Sequence, residues 1–271
     1  IIRYASSGTC VDGACSYEPQ ESTCEFGCTQ AGELGACVGD PCGFVVCDSP
    51  PLASCADSTT LLELSPPGTC SNGECSYFET TTTCAHGCVS PGPGQASFCQ
   101  APTGLVIAEL MYDSAGSPDY DAFVELAGAA GTSLEGLSLV GVNGNGGVEY
   151  NVITLSGEIG PSGRYVLAHP QAQAAILAVA DATDSKVDYQ NSPDSLQLRF
   201  GAQVLDALAY GSFTGSAVAA GEGNPAGATT VDLSLSRDKD DSDTNDNFTD
   251  FAVGSPSPGT PSFWPEAAPE I

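Results

Sequence analysis

Positive charge is scarce in this sequence: six Lys+Arg stand against 34 Asp+Glu in 271 residues, for a formal net charge of −28. The imbalance runs the whole length, with one basic and 11 acidic residues in 1–102 and five basic and 23 acidic in 103–271. Nucleic-acid partners are excluded, because their affinity comes mainly from cationic neutralisation of phosphates. Anionic membrane surfaces are disfavoured by the same repulsion. No apolar run of about 18 residues occurs, so direct membrane insertion is not expected, and no signal segment opens the sequence. Histidine is limited to His86 and His169, which leaves no Ser-His-Asp set to assemble. There is no G-x-S-x-G, no Walker loop and no complete G-x-G-x-x-G; the nearest approach, "GVNGNGGV", reads as a hairpin turn. The sequence therefore predicts no enzyme. The partner that its charge admits is a hard cation such as calcium, held by carboxylates.

Cysteine is absent from the last 172 residues, and all thirteen lie between Cys10 and Cys99. Such local density, with little long aliphatic sequence around it, predicts disulfide staples for a segment too thin to bury a core, in an oxidising compartment reached by export. The segment is an internal repeat. "IIRYASSGTCVDGACSY" aligns with "LLELSPPGTCSNGECSY" sixty residues on, so Cys10, Cys15, Cys24 and Cys28 recur as Cys70, Cys75, Cys84 and Cys88, and Cys37 as Cys99. The complete unit, 42–100, adds Cys42, Cys47 and Cys55, making eight; the unit at 1–41 has no equivalent of those three and reads as truncated, as though the chain began inside a repeat of a longer protein. Asp12-Gly13 and Asn72-Gly73 are two-residue hairpin turns by sequence, placing Cys10 opposite Cys15 and Cys70 opposite Cys75, all on a buried face. Eight cysteines allow 105 pairings by counting, so connectivity stays open. A zinc site around "CEFGC" and "CAHGC" is the weaker alternative, since the first repeat has Phe26 where the second has His86.

Residues 101–103 form a linker, after which short apolar runs follow one another, most with period-two alternation and separated by Gly, Asn, Asp, Ser or Pro: "GLVIAELM", "AFVELAG", "LEGLSLVGV", "EYNVITLSG", "GRYVLAH", "LQLRFG", "AQVLDALAYG", "TVDLSLSR" and "NFTDFAV". That pattern predicts a β-sandwich. The one helical candidate is 170–181, with Pro170 suited to a first turn.

Over residues 104–262 these blocks, closing with "SLSRDKDDSDTNDNFTDFAVGSPSPGTPS", resemble the bacterial lamin-tail domain, an immunoglobulin-like β-sandwich. Ser236, Arg237, Asp243, Thr244, Asn247, Asp250 and Phe251 match that family's closing block, and Phe123 stands where it usually has Trp. The resemblance implies an immunoglobulin-like sandwich there, and with the repeats read from the cysteines the chain is expected to be all-β: disulfide-stapled small β-hairpin repeats, then the sandwich, then a Pro-rich tail at 263–271. It also implies an accessory module of exported proteins whose fold does not itself catalyse. The cysteine units are similar, in spacing alone, to repeats of large exported proteins of Gram-negative bacteria.

Six aspartates fall within 238–250. Read as a helical-hand calcium loop, Asp241, Asp243 and Asn245 occupy positions 1, 3 and 5, but Asp246 replaces the glycine and Ala252 the bidentate glutamate, so that motif is rejected. A looser oxygen cage is the remaining calcium candidate: Asp238, Asp240, Asp241 and Asp243, joined by Asp113, Asp119 and Asp121 if the first and last strands lie side by side. Asn247-Phe248-Thr249 fits the N-glycosylation triplet, and Thr80–Thr83 could carry O-linked sugar. The expected function is a secreted or cell-surface structural or adhesive part of a Gram-negative bacterium, a stapled stalk with a docking head. Its partners would be other copies of itself or another surface protein. The alternative is a calcium-dependent glycan-binding module or an accessory domain of an exported hydrolase.

Overall fold

Asp12-Gly13 and Asn72-Gly73 turn two hairpins in the computed structural model, which describes residues 2–4, 8–31, 34–42, 45–116 and 118–261. The expected Pro-rich tail at 263–271 lies outside the described residues. All four turn residues have positive φ, between 52° and 87°, the conformation that a two-residue hairpin requires and that Asn, Asp and Gly tolerate best. The chain divides into two units, Ile1–Gln100 and Ala101–Ile271.

The first unit is built from small antiparallel ladders. β1 (Ile2–Tyr4) pairs with β4 (Pro19–Glu21), β2 (Thr9–Val11) with β3 (Ala14–Ser16), and β5 (Cys28–Ala31) with β6 (Leu34–Cys37). In the second repeat β7 (Ser54–Cys55), β8 (Thr60–Ser71) and β9 (Glu74–Thr83) form a three-stranded sheet, and β10 (Cys88–Val89) pairs with β11 (Phe98–Cys99). Cys10 faces Cys15 and Cys70 faces Cys75, as the turn spacing dictates. The expected buried face is corrected: Cys10 and Cys15 are exposed, and Cys70 and Cys75 are only half-buried. A two- or three-stranded ladder with no second layer has nothing to bury against. Among the described residues of this unit the buried apolar side chains are Leu61 and two half-cystines, Cys47 and Cys84. Disulfides hold it instead: Cys10–Cys15 and Cys24–Cys37 in the first repeat, and Cys42–Cys70, Cys47–Cys75, Cys55–Cys88 and Cys84–Cys99 in the second. Among the described residues no bridge passes from one repeat to the other.

The second unit is a two-sheet sandwich. Its strands are β12 (Val106–Met111), β13 (Phe123–Ala127), β14 (Leu137–Asn143), β15 (Glu149–Thr154), β16 (Arg164–Ala168), β17 (Ala182–Thr183), β18 (Asp194–Phe200), β19 (Gln203–Tyr210), β20 (Ser234–Ser236) and β21 (Ala252–Gly254). One sheet has the order β17-β16-β13-β12-β20-β21 and the other β15-β14-β18-β19. Between them lies the core, where Ile107, Leu110, Val124 and Leu126 of the first sheet meet Leu137, Leu139, Leu196, Leu198 and Leu208 of the second. Outward-facing Met111, Phe123, Val166 and Ala168 are buried too, under Ala172 and Ile176. That cover is a single helical turn, α1 (Ala174–Leu177), not the helix expected over 170–181. Pro170 precedes it in a turn, and Asp181 ends the segment by accepting the Val166 amide at 2.8 Å, which turns the chain into β17. "NFTDFAV" also divides, into α2 (Asn247–Asp250) and β21, because Asp246 caps the helical turn by accepting the Phe248 and Thr249 amides.

Candidate functional site

Arg237 follows β20 directly, and its side chain is completely enclosed. Burying a guanidinium is tolerable only if its charge and its donors are matched. Here Nε donates to the Ile107 carbonyl at 2.9 Å and Nη1 to the Ser242 carbonyl at 2.7 Å. Nη2 lies 2.9 Å from Asp206, while Nη1 lies 3.2 Å from Asp250 and 3.4 Å from Asp243. The Phe251 ring closes one face, 4.6 Å from the guanidinium carbon. Asp206, itself fully buried on β19, also accepts the Ile107 amide at 2.5 Å. Because β19 belongs to one sheet and β12 and β20 to the other, the Asp206–Arg237 pair staples the two layers together at one edge.

Glu222 completes the cluster. Carboxylate oxygens of Asp206, Glu222 and Asp243 lie within 4.8 Å of one another, the one such acidic group among the described residues. Three carboxylates thus pair with one guanidinium, and Glu222 stands beside two of them. Burial, reinforced by the charges of Asp206 and Asp243, pushes the Glu222 carboxyl up to about 8, and burial raises Asp206 against the pull of Arg237. Glu222 Oε2 is enclosed with no hydrogen-bond partner among the described residues; a retained proton lets the group bond to Asp206.

A parallel set lies on the outer side of the six-stranded sheet. Glu125 on β13 sits 3.3 Å from Arg164 Nε and accepts the Gly259 amide, and Arg164 Nη1 reaches Asp241 at 2.6 Å. Glu109 on β12 accepts from the Ser234 hydroxyl and from the amide and hydroxyl of Ser257. These two carboxyls tie the segment around 257–259 across the sheet. Burial pushes Glu125 up to about 7 and also raises Glu109. For Glu125 and Glu222 the folded state holds protons that the unfolded chain, near 4.5, has released. Their contribution to stability is thus complete below about pH 4.5 and lost as pH rises through about 7 and 8. The melting temperature of the sandwich should accordingly fall between pH 5.5 and 8.5, by roughly 2–4 °C for each kcal/mol lost, and Glu222→Gln should flatten the profile; thermal scans across that range check both.

The acidic loop acts piecemeal. Asp238 accepts the amides of Asp240 and Ser242 and the Ser242 hydroxyl, capping its own turn. Asp240 is exposed beside Lys239, Asp241 pairs with Arg164, Asp243 and Asp250 with Arg237, and Asp246 caps α2. The expected single cage of Asp238, Asp240, Asp241 and Asp243 with Asp113, Asp119 and Asp121 is not what forms. β12 and β20 do lie side by side, but antiparallel, with Glu109 opposite Ser236 and Leu110 opposite Leu235. Asp113 follows the end of β12 and so lies at the end of the ladder where β20 begins, whereas 238–243 follow the end of β20. Asp119 accepts the Ser114 amide and Asp121 the Gln173 amide, away from the loop.

Asn247 is corrected as a glycosylation candidate. It is fully buried: its Oδ1 accepts the amides of Ala209 and Glu222, both at 2.9 Å, and its Nδ2 donates to Ala207 at 2.8 Å. The second N–H of Nδ2 is enclosed with the rest of the side chain, so the folded sandwich offers a sugar no access to it. Asn247→Leu should destabilise the sandwich by about 1–3 kcal/mol for each amide that it leaves unpaired, read as a lower urea midpoint. Asp206, Glu222, Glu109, Glu125 and Arg164 were not singled out by sequence reasoning; the available signal was a charge inside an otherwise apolar strand, as in "VLDALAY" and "FVELA". Comparison with protein families, with curated proteins and with solved structures finds no match to this chain.

Proposed function

We propose that the chain is a non-catalytic structural or adhesive part of a secreted or cell-surface protein of a Gram-negative bacterium, a covalently stapled spacer carrying a sandwich that docks other copies or another surface protein. One observation carries the reading: the first unit derives its shape from disulfides instead of a core, a construction suited to oxidising surroundings and to spacing. Six disulfides, and no helix among the described residues long and apolar enough to cross a membrane, fit a secreted protein. The lamin-tail resemblance of residues 104–262 fits the same setting. The buried arginines among the described residues, Arg164 and Arg237, are committed to carboxylates that hold the sandwich together. For docking, β15 offers an edge of the four-stranded sheet to which a partner strand could add. Sedimentation velocity over a concentration series tests this. Reversible self-association supports it, and a strict monomer retained on a glycan column overturns it.

The enclosed Glu222 oxygen favours one second reading, a calcium-dependent ligand-binding module. Asp206, Glu222 and Asp243 have the hard oxygen chemistry and the mutual distances that calcium takes, and the ion would displace the Glu222 proton. Calcium should then raise the melting temperature more at pH 8.5 than at pH 6, an effect absent from Glu222→Gln.

A further inference from the structure

The hairpins at 8–17 and 68–77 are copies of one another, identical at seven of ten positions. Their geometry repeats in detail. In each, a glycine lies under a tyrosine ring, so close that a Cβ on Gly8 would stand 2.7 Å from Tyr17 Cδ1 and one on Gly68 2.7 Å from Tyr77 Cδ1. A serine hydroxyl crosses each ladder to a threonine carbonyl, Ser16 to Thr9 and Ser76 to Thr69.

What differs is the cover. Over the second hairpin runs the segment that begins at Pro41. Gly68 donates its amide to the Cys47 carbonyl at 2.6 Å, Tyr77 donates its hydroxyl to the Ser49 carbonyl at 3.1 Å, and Gly73 packs against Pro41. Two bridges fix that segment in place, Cys42–Cys70 and Cys47–Cys75, with Cα separations of 5.8 and 5.6 Å. On the first hairpin the equivalent cysteines are joined to each other across the ladder, with a Cα separation of 4.0 Å, below the usual span of about 4.4–6.8 Å. Cys10 and Cys15 are exposed, as are Val11 at 67% and Tyr17 at 48%.

We propose that the 8–17 hairpin is an acceptor for a polypeptide segment of the 41–50 kind, with four residues between its two cysteines, bound through disulfides from its first cysteine to Cys10 and from its second to Cys15. The proposal stands on the comparison of the two repeats and is independent of the structural reading above. The chemistry is redox-neutral. The Cys10–Cys15 bond and a disulfide within the incoming segment both break, and two inter-segment disulfides form, so no electrons are gained or lost. A low-molecular-weight thiolate opens the first bond and is released when the last one closes. Exposure of Cys10 and Cys15 gives that thiolate access. The Gly8 amide and the Tyr17 hydroxyl then have the partners that Gly68 and Tyr77 find at Cys47 and Ser49.

The test uses the intact chain and a synthetic peptide of residues 41–50, oxidised between its own two cysteines, with a trace of glutathione. A one-to-one covalent adduct is expected by non-reducing mass spectrometry, with peptide mapping joining the first peptide cysteine to Cys10 and the second to Cys15. A peptide with the two cysteines moved to adjacent positions should give about tenfold less adduct, equivalent to about 1.4 kcal/mol. Absence of adduct overturns the proposal, as do equal yields from both peptides, crossed pairing, or attachment at Cys70 and Cys75.

Discussion

Arg237→Met should lower the stability of the sandwich by about 3–5 kcal/mol, the cost of breaking a buried ion pair from one side only. Asp206 and Asp250 would stay enclosed with Asp243 and Glu222 close by and no guanidinium among them, and the Ile107 and Ser242 carbonyls would lose their donor. Arg237→Lys should recover little. An ammonium is a point charge on a flexible stem and cannot span the Ile107 carbonyl, Asp206 and Asp250 at once, as the planar fork does. The loss should be partly reversed by adding Asp206→Asn, which removes the most deeply buried of the stranded charges. Urea denaturation followed by circular dichroism measures all three variants. An Arg237→Met midpoint close to that of the parent chain would mean that the cluster carries no weight in holding the two sheets together.

Reduction is expected to unfold the second repeat of the first unit and to leave the sandwich folded. Each bridge of the second repeat closes a loop, and bridges of this kind contribute about 2–4 kcal/mol each. Losing Cys42–Cys70, Cys47–Cys75, Cys55–Cys88 and Cys84–Cys99 together exceeds anything that Leu61 and a few half-buried side chains could offset. The 104–261 region contains no cysteine and buries a continuous two-sheet core, so its melting temperature should not change. Hydrogen exchange of the reduced protein should show amides of 60–83 exchanging at unfolded rates while those of β12, β13 and β18 stay protected. Retained protection across 60–83 after full reduction would show that the ladder of β8 and β9 holds itself.

The sequence revealed those features that depend on local chemistry. Asp-Gly and Asn-Gly fix hairpins because positive φ is a property of the residue pair, and alternation located most strands of the sandwich because each has one face on a shared core. Three kinds of feature escaped. Disulfide pairing depends on which segment lies over which, and spacing does not encode it: the same two positions are bridged to each other in one repeat and to a distant segment in the next. The acidic loop reads as a cluster in one dimension, yet its carboxylates diverge to Arg164, Arg237, a helix cap and solvent once the antiparallel register is in place. Burial of Glu109, Glu125 and Asp206 depends on cover from remote segments, 257–259 for the two glutamates and the neighbouring sheet for the aspartate. Asn247 shows the limit most plainly, since a triplet that reads as a surface signal proves to be an internal tie between β19 and the segment at Glu222.

The bridges of the second repeat overlap along the chain, and this governs how it responds to pulling. The shortest covalent route from Cys42 to Cys99 crosses two sulfur links and only the residues between Cys70 and Cys84. A load drawn along the protein would therefore bear on sulfur–sulfur bonds before it could draw out most of the intervening backbone, so the unit would yield little length under tension even after every one of its ladders had been torn open.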